Sequence, residues 1–405
     1  MSLENKLSAL CQKMEIDPEQ LPDIYIEEGC LASIPSYLKE KGLSKPILVT
    51  DSNTKKAAGL TLEYLLNQED LYPKVVILDE NQNGQVIADG QSIMQLFLNV
   101  EEENDVLVAV GSGTIHDICR FCSEKAKVPF LAVPTAASVD GFTSKGAPII
   151  NRGKKQTVQS QSPIAVFADT NVLMRAPQTL TAAGFGDMLG KHTSLMDWDI
   201  SEMIGGEPFY QEAYELTKTC LDLTVKHTDE IGRSEYKGIK ALMEALIYSG
   251  LAMNLINSSR PASGGEHHLS HFWEMRFLEL NEPQLLHGAK VGVACTIISC
   301  LYKEWVRSFS PEELTENDKY EKKLKQSWHI IKNKVLALPD VELLQIQLLK
   351  VGGPATIEDL GLAEELVTES LNEAFHLRDR CTGLRLINHY KNKRLEMPQD
   401  PCIKK

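Results

Sequence analysis

Residues 105–126, DVLVAVGSGTIHDICRFCSEKA, join an apolar run to a helical pattern through two glycines. A continuous apolar run is typical of a parallel strand that is buried on both faces. Gly111 and Gly113 permit a tight turn and a close approach of the backbone to a phosphate, and the start of the following helix favours an anion. The dinucleotide fingerprint GxGxxG is incomplete, because His116 stands at the third glycine position. The stretch therefore predicts a strand–turn–helix unit that either binds phosphate or is a plain tight turn.

Four other apolar runs flank this unit and are rich in the β-branched residues that favour strands. They are KPILVT (45–50), KVVILD (74–79), VPFLAVPT (128–135) and IAVFAD (164–169). Two amphipathic segments, 54–66 and 86–100, are long enough to be crossover helices between parallel strands. After Asp169 the pattern is helical. We predict an α/β domain over residues 1–172, an all-α domain over residues 173–405, and ligands in the cleft between them.

The chain of 405 residues carries 42 Lys and Arg against 56 Asp and Glu, a formal charge of −14. This charge opposes affinity for nucleic acid and anionic membranes, so an anionic substrate would need a local basic pocket. The first residues lack the pattern of a secretory signal, and the longest apolar stretch, 291–302, is far shorter than the roughly 20 residues of a membrane span. We expect a cytoplasmic protein without a membrane span.

Nine cysteines stand at irregular spacing, which argues for reduced thiols and against a disulfide framework. Cys119 and Cys122 form a CxxC inside a predicted helix, and the chain has no second CxxC. We expect buried structural thiols at these positions, with redox or metal chemistry as the alternative.

Polar residues follow two more strands at the same edge of the predicted sheet, where ligands of open α/β sheets bind. Asp51 can accept hydrogen bonds from a ribose, or it can cap the following helix. The stretch 135–140, TAASVD, offers small side chains and hydroxyls that suit a nicotinamide and its ribose, and Asp140 follows where a substrate would stand. The alternative interpretation is a Pro-Thr loop with an Asp-Gly turn.

Three predicted helix starts in the second half carry candidate metal ligands. Asp187 follows GFG, and His287 opens HGAKVG. The third start, SGGEHHLSH, contains four residues close together that can ligate metals: Glu266, His267, His268 and His271. His267 and His271 are four residues apart and share a helix face, whereas His268 is turned away. One Asp and two His from three helices would form a catalytic metal site with an open position; helix capping and solvated histidines are the alternatives.

Taken together, these motifs resemble the glycerol-1-phosphate dehydrogenase family, within the larger group of iron-containing alcohol dehydrogenases, glycerol dehydrogenases and dehydroquinate synthases. In chain order they are GSGTIHD (111–117), VPTAASVDGFTS (133–144), GFGDMLGKHTSLMDWD (184–199), SGGEHHLSH (263–271) and HGAKVG (287–292). Lys191, where archaeal members carry a different residue, makes the chain resemble the bacterial branch.

The resemblance implies a Rossmann-like N-terminal domain and a helical C-terminal domain, with NAD(H) or NADP(H) bound between them. It assigns one divalent metal, nickel or zinc before iron, to Asp187, His267 and His287. Its substrate contacts and catalytic residues fall on Asp140, Asp187 and His271. Its cofactor contacts fall on Asp51, Gly111, Ser112, Gly113, Thr114, Ile115, Thr135, Ala136, Ala137, Ser138 and Ser144.

The activity that the resemblance implies is the reversible NAD(P)H-linked reduction of dihydroxyacetone phosphate to sn-glycerol 1-phosphate, by a homodimer and for glycerophospholipid-type synthesis. In this hypothesis the metal polarises the C2 carbonyl and His271 contacts the substrate and helps to deliver a proton. Asp140 holds a hydroxyl, and Glu266 orients a ligand imidazole. Lys145 and Lys191 are candidates for the substrate phosphate, or else solvated lysines. The alternative activities are a polyol dehydrogenase acting on unphosphorylated glycerol and a dehydroquinate-synthase-like lyase.

Overall fold

A computed structural model describes residues 2–314, 318, 320–391 and 393–398 of the chain. The strands of its first half are β1 Asp23–Tyr25, β2 Pro46–Thr50, β3 Lys74–Ile77, β4 Val106–Gly111, β5 Phe130–Pro134, β6 Gly146–Asn151, β7 Lys154–Gln159 and β8 Ala165–Phe167. Six of them form a parallel sheet in the order β1-β8-β5-β4-β2-β3, and β6 and β7 form a separate antiparallel hairpin. Val108 in β4 pairs with Leu48 on one side and Leu131 on the other, so the glycine turn leaves the middle of the sheet.

Helices cover both faces of this sheet, as expected for parallel strands. They are α1 Leu3–Lys13, α2 Ile34–Glu40, α3 Ser52–Thr54, α4 Leu60–Gln68, α5 Gly90–Phe97 and α6 Gly113–Ala126, with a π-helical turn Lys55–Gly59 joining α3 to α4. Residues of β4 alternate between two apolar cores: Leu107 packs with Ile118 of α6, and Val108 packs with Leu38 of α2 and Leu62 of α4. The sheet thus holds the turn at 111–113 rigidly between two layers of helices.

The second half of the described chain is helical. Its helices are α7 Thr170–Leu173, α8 Gln178–Leu189, α9 Lys191–Ile200, α10 Gln211–Lys226, α11 Thr228–Gly232, α12 Tyr236–Leu255, α13 Gly265–Glu279, α14 His287–Ser308, α15 Glu321–Leu336, α16 Val341–Lys350, α17 Glu364–Glu373 and α18 Gly383–Tyr390. Helix α14 is buried along most of its length and packs against α8, α13 and α16. Among the described residues, the helices are all too short or too polar to cross a bilayer.

The two halves meet where α8 lies against the loop that follows β5. A methyl group on Gly184 would lie 1.9 Å from the carbonyl oxygen of Ala137, so only glycine allows this approach. A methyl group on Gly288 would lie 1.8 Å from the carbonyl oxygen of Ala183, which brings the start of α14 onto α8. These glycines therefore join the β5 loop, α8 and α14 at one place.

The predicted fold class is confirmed, and the five predicted strands correspond to β2, β3, β4, β5 and β8. The sequence interpretation missed the short strand β1 and the hairpin β6–β7, and α5 is shorter than the predicted segment 86–100. Helix α1 packs on α10 and α12 of the helical half, with Lys6 Nζ 2.9 Å from Glu215 Oε2. Cys119 and Cys122 are free and buried in the sheet core, as expected for structural thiols, whereas Cys402 lies outside the described residues.

Candidate active site

Asp187, His267 and His287 converge from three helices on one point. His267 lies in the first turn of α13 and His287 is the first residue of α14, as predicted, but the prediction of a helix start at Asp187 is wrong, because α8 begins at Gln178 and Asp187 lies near its end. One ligand atom from each residue lies within 4.8 Å of the other two. His267 Nε2 is 3.9 Å from Asp187 Oδ1, and the rings of His267 and His287 are 5.1 Å apart between centroids. The three residues that the sequence suggested as metal ligands are thus brought together.

The donor set and its surroundings fit a divalent cation. His267 Nδ1 is 2.8 Å from Glu266 Oε1, which leaves Nε2 directed at Asp187. His287 Nδ1 is buried and has no hydrogen-bond partner among the described residues. Burial holds the pKa of His287 well below its usual value, so the imidazole stays neutral with a lone pair available. A carboxylate with two imidazoles is a common ligand set of catalytic metal sites with an open position.

Glu266 is completely buried behind His267. Its Oε1 accepts from the Gly264 backbone N–H at 2.7 Å, and its Oε2 accepts from Thr193 Oγ1 at 2.7 Å. Although burial opposes ionisation, the hydrogen bond to His267 and its charge lower the pKa of Glu266. An ionised, fixed carboxylate at this position can set the orientation and the tautomer of the His267 ring.

Lys191 is buried between two carboxylates, where it cannot reach a substrate phosphate as the sequence interpretation suggested. Its Nζ lies 2.8 Å from Asp140 Oδ2 and 2.9 Å from Asp187 Oδ1, and it donates to the Ala262 carbonyl at 3.3 Å. Burial opposes protonation, but the two carboxylates raise the pKa of Lys191. Lys145, the other candidate for the phosphate, is exposed next to the start of β6.

The loop 135–140 is attached directly to the helical half. The Asp140 backbone N–H donates to Asp187 Oδ2 at 3.0 Å, and Ser249 Oγ donates to Asp140 Oδ2 at 3.0 Å. Burial and the neighbouring Asp187 raise the pKa of Asp140. Ala136 and Ala137 are buried, and the Ser138 hydroxyl is buried without a partner among the described residues. The loop therefore carries one unsatisfied hydroxyl beside the candidate metal ligands.

The glycine turn provides an open helix start. Gly111 ends β4, Ser112 occupies the N-cap position without a side-chain cap hydrogen bond, and Gly113 begins α6, followed by Thr114 and Ile115. A methyl group on Gly111 would lie 2.6 Å from Ile115 Cγ1. The Thr135 backbone N–H donates to the Gly111 carbonyl at 3.0 Å, which ties this turn to the loop after β5. A helix start without a side-chain cap can accept a phosphate.

Two residues that the resemblance assigns to the nucleotide have structural partners. Asp51 forms a capping box at α3: its Oδ1 accepts from the backbone N–H groups of Asn53 at 2.8 Å and Thr54 at 2.7 Å. The capping alternative for Asp51 is therefore observed, and it uses one of the two carboxylate oxygens. Ser144 Oγ accepts from the Gly146 backbone N–H at 2.9 Å at the start of β6.

His271 lies one turn after His267, between the metal ligands and a group of cations. Its Nδ1 is 3.4 Å from Glu274 Oε2, and its Nε2 is 3.5 Å from Arg378 Nη2. Its ring centroid is 5.6 Å from that of His287. Glu274, His271 and His287 also place one ligand atom each within 4.8 Å of one another.

Sequence reasoning missed Glu274, Lys155, Lys290 and Arg378. The spacing could have identified Glu274, because it follows His267 by seven residues and His271 by three and so shares their helix face. Lys155 lies in the hairpin that was not predicted, and its Nζ is 2.8 Å from Glu274 Oε2. Burial lowers the pKa of Lys290 to about 8. Arg378 follows His271 by 107 residues in the sequence, so no local pattern joins the two.

Comparison with known proteins gives a consistent result. Residues 25–177 match the iron-containing alcohol dehydrogenase family. The chain is 42% identical over 374 residues to "Glycerol-1-phosphate dehydrogenase [NAD(P)+]" of Bacillus subtilis (strain 168), an alignment that covers 92% of this chain and 93% of that protein. A protein of the same name from Methanosarcina mazei is 29% identical, over 90% of this chain and 91% of the other.

A solved structure also shares the fold. Glycerol dehydrogenase from Schizosaccharomyces pombe superposes with a TM-score of 0.64 at 18% identity, over 93% of this chain and 86% of that chain. At this identity the likeness shows the fold alone, whereas the sequence relatives decide the family. The chain belongs to the glycerol-1-phosphate dehydrogenase [NAD(P)+] family, within the iron-containing alcohol dehydrogenase group.

Proposed function

We propose that this chain is a metal-dependent dehydrogenase that reduces dihydroxyacetone phosphate to sn-glycerol 1-phosphate with NADH or NADPH, reversibly. The observation that carries the proposal is the convergence of Asp187, His267 and His287 beside a loop that is tied to the glycine turn. The name of the bacterial relatives, at 42% identity and above, supports the same substrate and cofactor.

The dinucleotide would bind at the carboxyl edge of the sheet. The backbone of 111–115 would hold its pyrophosphate, since no side chain caps α6. The small residues 135–138 leave room for the nicotinamide, and the buried Ser138 hydroxyl lacks a partner among the described residues. Asp51 and Ser144 would contact the rest of the cofactor. When bound, the dinucleotide supplies or accepts the hydride.

Asp187, His267 and His287 would hold one divalent cation, with nickel or zinc proposed ahead of iron. When bound, the cation supplies a Lewis acid for the substrate carbonyl. Glu266 fixes the His267 ring through Nδ1, so the ligand imidazole is oriented before any cation arrives. Lys191 is the shared cation of Asp187 and Asp140 and offsets part of their combined charge, which helps two carboxylates to share one buried site.

His271 and Asp140 are the substrate-binding side chains in this proposal. Glu274 lies 3.4 Å from His271 Nδ1, so Nε2, which lies 3.5 Å from Arg378 Nη2, is the ring nitrogen on the substrate side. Lys191 and Ser249 hold Asp140 Oδ2, which leaves Oδ1 for a substrate hydroxyl. Both side chains are buried or half-buried, so the helical packing around them limits access of water.

The test follows NADH and NADPH absorbance with dihydroxyacetone phosphate, before chelation, after chelation, and with nickel or zinc restored. We expect nucleotide consumption that chelation abolishes and metal restores, with the 1-phosphate enantiomer as product. Turnover of dihydroxyacetone and glycerol at the same rate as the phosphorylated substrate would favour a polyol dehydrogenase. Conversion of a substrate without net NADH consumption would favour a lyase.

Three further parts of the proposal rest on the resemblance: a homodimer, a cytoplasmic location and use of the product for glycerophospholipid-type synthesis. Light scattering on the purified protein tests the first of these, with a mass of twice 45.1 kDa expected. Localisation of the tagged chain tests the second. The stereochemistry of the glycerol backbone of lipids in cells lacking the gene tests the third.

A further inference from the structure

Two arginines in the segment before α18 lie close to the loop that leads into α13, and one of them also lies beside His271. Arg378 Nη2 lies 3.5 Å from His271 Nε2, and Arg378 Nη1 donates to Ser259 Oγ at 3.1 Å. Arg380 Nη2 donates to the same Ser259 hydroxyl at 2.7 Å, and its Nη1 donates to the Ser263 carbonyl at 2.7 Å. The two guanidiniums thus share one hydroxyl and lie against the loop that leads into α13.

These two cations have no anionic partner of their own. No carboxylate oxygen of the described residues lies within 4.0 Å of either guanidinium. Glu207 is the nearest acid to influence Arg380, but it pairs with Arg260 at 2.8 Å and accepts from the Cys381 backbone N–H at 2.7 Å. Burial and the charge of Arg378 lower the pKa of Arg380 to about 9. Two adjacent, partly buried cations of this kind would be stabilised by an anionic ligand.

The position of the two arginines suits the phosphate group of a triose phosphate. The phosphorus of such a molecule is only three bonds from the carbonyl carbon, so its phosphate must lie next to the metal ligands. His271 is close to both regions: its ring is 5.6 Å from that of His287, and its Nε2 is 3.5 Å from Arg378 Nη2. The planar guanidinium fork matches two phosphate oxygens at once, which a lysine ammonium cannot do.

The other cations near His271 are less suited to this role. Lys155 and Lys290 share the carboxylate of Glu274, at 2.8 Å and 3.5 Å respectively, so part of their charge is already neutralised. Lys191 is closed off by Asp140 and Asp187. The unpaired positive charge beside His271 therefore resides on the two arginines.

We propose that Arg378 and Arg380 form the subsite for the substrate phosphate and select phosphorylated over unphosphorylated trioses. For the identity of the substrate, this inference rests on the proposed function. The chain has a formal charge of −14, so an anionic substrate needs such a local positive site to approach and bind.

The experiment uses the metal-loaded enzyme with Arg378→Gln, Arg380→Gln and Arg380→Lys. Arg385→Gln is the matched control, because Arg385 lies in the first turn of α18, just after this segment, and already pairs with Asp379 at 2.5 Å. We expect each glutamine variant to raise the KM for dihydroxyacetone phosphate and the inhibition constant of inorganic phosphate by about 10- to 100-fold. The preference for dihydroxyacetone phosphate over dihydroxyacetone, measured as the ratio of their kcat/KM values, should fall in the glutamine variants, Arg380→Lys should give a smaller rise in KM, and Arg385→Gln should match wild type.

Unchanged KM and phosphate inhibition in both glutamine variants would overturn the subsite while leaving the proposed function intact. The same conclusion follows if only Lys155→Gln weakens phosphate binding. If wild type does not turn over dihydroxyacetone phosphate, the proposed function fails, and calorimetry with inorganic phosphate still tests the arginines: loss of binding in the variants supports the subsite, and retained binding overturns it. Circular dichroism and metal content identify variants that fail to fold, for which Arg380→Lys provides the comparison.

Discussion

Gly186 of α8 and Gly288 of α14 are in backbone contact: a methyl group on Gly186 would lie 2.3 Å from the carbonyl oxygen of Gly288. Each glycine precedes or follows a candidate metal ligand, Asp187 in one helix and His287 in the other. Because neither glycine has a side chain, the two helices approach closely, and this approach sets the distance between Asp187 and His287. Any added atom here must separate the helices or rotate one of them, because packed interiors have little free space.

Gly288→Ala should accordingly lower metal affinity and activity together. The new methyl group would meet the Ala183 carbonyl oxygen at 1.8 Å, and overpacking of this kind costs typically about 1–3 kcal/mol of stability. Metal content after dialysis and the free energy of unfolding in urea provide the two measurements. Gly90→Ala is the control, because a methyl group there meets nothing within 4 Å. Wild-type metal content in Gly288→Ala would show that the helix contact does not set the ligand geometry.

Lys191→Met should destabilise the metal-free protein strongly. The substitution keeps the length of the side chain but leaves Asp140 and Asp187 without their shared cation, and breaking a buried ion pair from one side costs about 3–5 kcal/mol. Adding the divalent metal should restore part of the loss, since a cation would again neutralise Asp187.

Urea denaturation with and without metal checks this prediction for Lys191. Lys218→Met is the control, because Lys218 and Asp222 form a pair at the same four-residue spacing on an exposed surface. Equal stability changes in the two variants would mean that the buried pair contributes no more than an exposed one.

Glu266→Gln should weaken metal binding without unfolding the protein. The amide has the shape of the carboxylate but no charge, so His267 Nδ1 loses an ionised partner at 2.8 Å. Loss of such a partner behind a ligand costs roughly 10- to 100-fold in metal affinity. Competition with a chromogenic chelator measures the affinity. Glu279→Gln, at the exposed end of the same helix, should keep the wild-type value, and a wild-type value in Glu266→Gln would remove Glu266 from the metal site.

The buried imidazole of His116 should make the free energy of unfolding depend on pH in the acid range. Burial lowers its pKa to about 3 from 6.5, so between pH 6 and pH 4 the unfolded chain binds a proton that the folded chain does not. The stability present above pH 6.5 is therefore lost as the pH falls. With His116→Leu, the free energy of unfolding should drop by about 1.4 kcal/mol less per pH unit in this window.

Urea midpoints measured at several pH values test the effect at His116. Phe142→Leu is the control: it removes the ring that packs on His116 at 4.9 Å between centroids but no titrating group, so it should lower stability equally at every pH. The same pH slope in His116→Leu and wild type would contradict the prediction.

The sequence predicted the elements whose pattern is local. The continuous apolar run before Gly111 identified the central strand, and the helix starts that were predicted at His267 and His287 are observed, whereas Asp187 lies near the end of a helix. Asp51 shows a limit of this reasoning, since a carboxylate after a strand serves equally as a helix cap, and the cap is what forms. The boundary at residue 172 and the nucleotide contacts stay predictions.

Long-range pairing was beyond the reach of local patterns. The pattern around Lys191 indicated a cation near the site but not its burial between Asp140 and Asp187, which depends on how α9 packs against the β5 loop. The hairpin β6–β7 has a polar, mostly exposed second strand, so no alternation marked it, and Lys155 was missed with it. The arginines before α18 reach His271 only through the folding of the last helices.

The most direct test of the metal site formed by Asp187, His267 and His287 is the metal content of purified His287→Ala, measured by mass spectrometry beside wild type after equilibration with nickel or zinc. His287 contributes one of three ligands, and its Nδ1 has no other partner among the described residues. We expect about one metal ion per chain in wild type and a large loss in the variant, accompanied by loss of NAD(P)H oxidation with dihydroxyacetone phosphate. A variant that keeps both its metal and its activity would contradict this expectation.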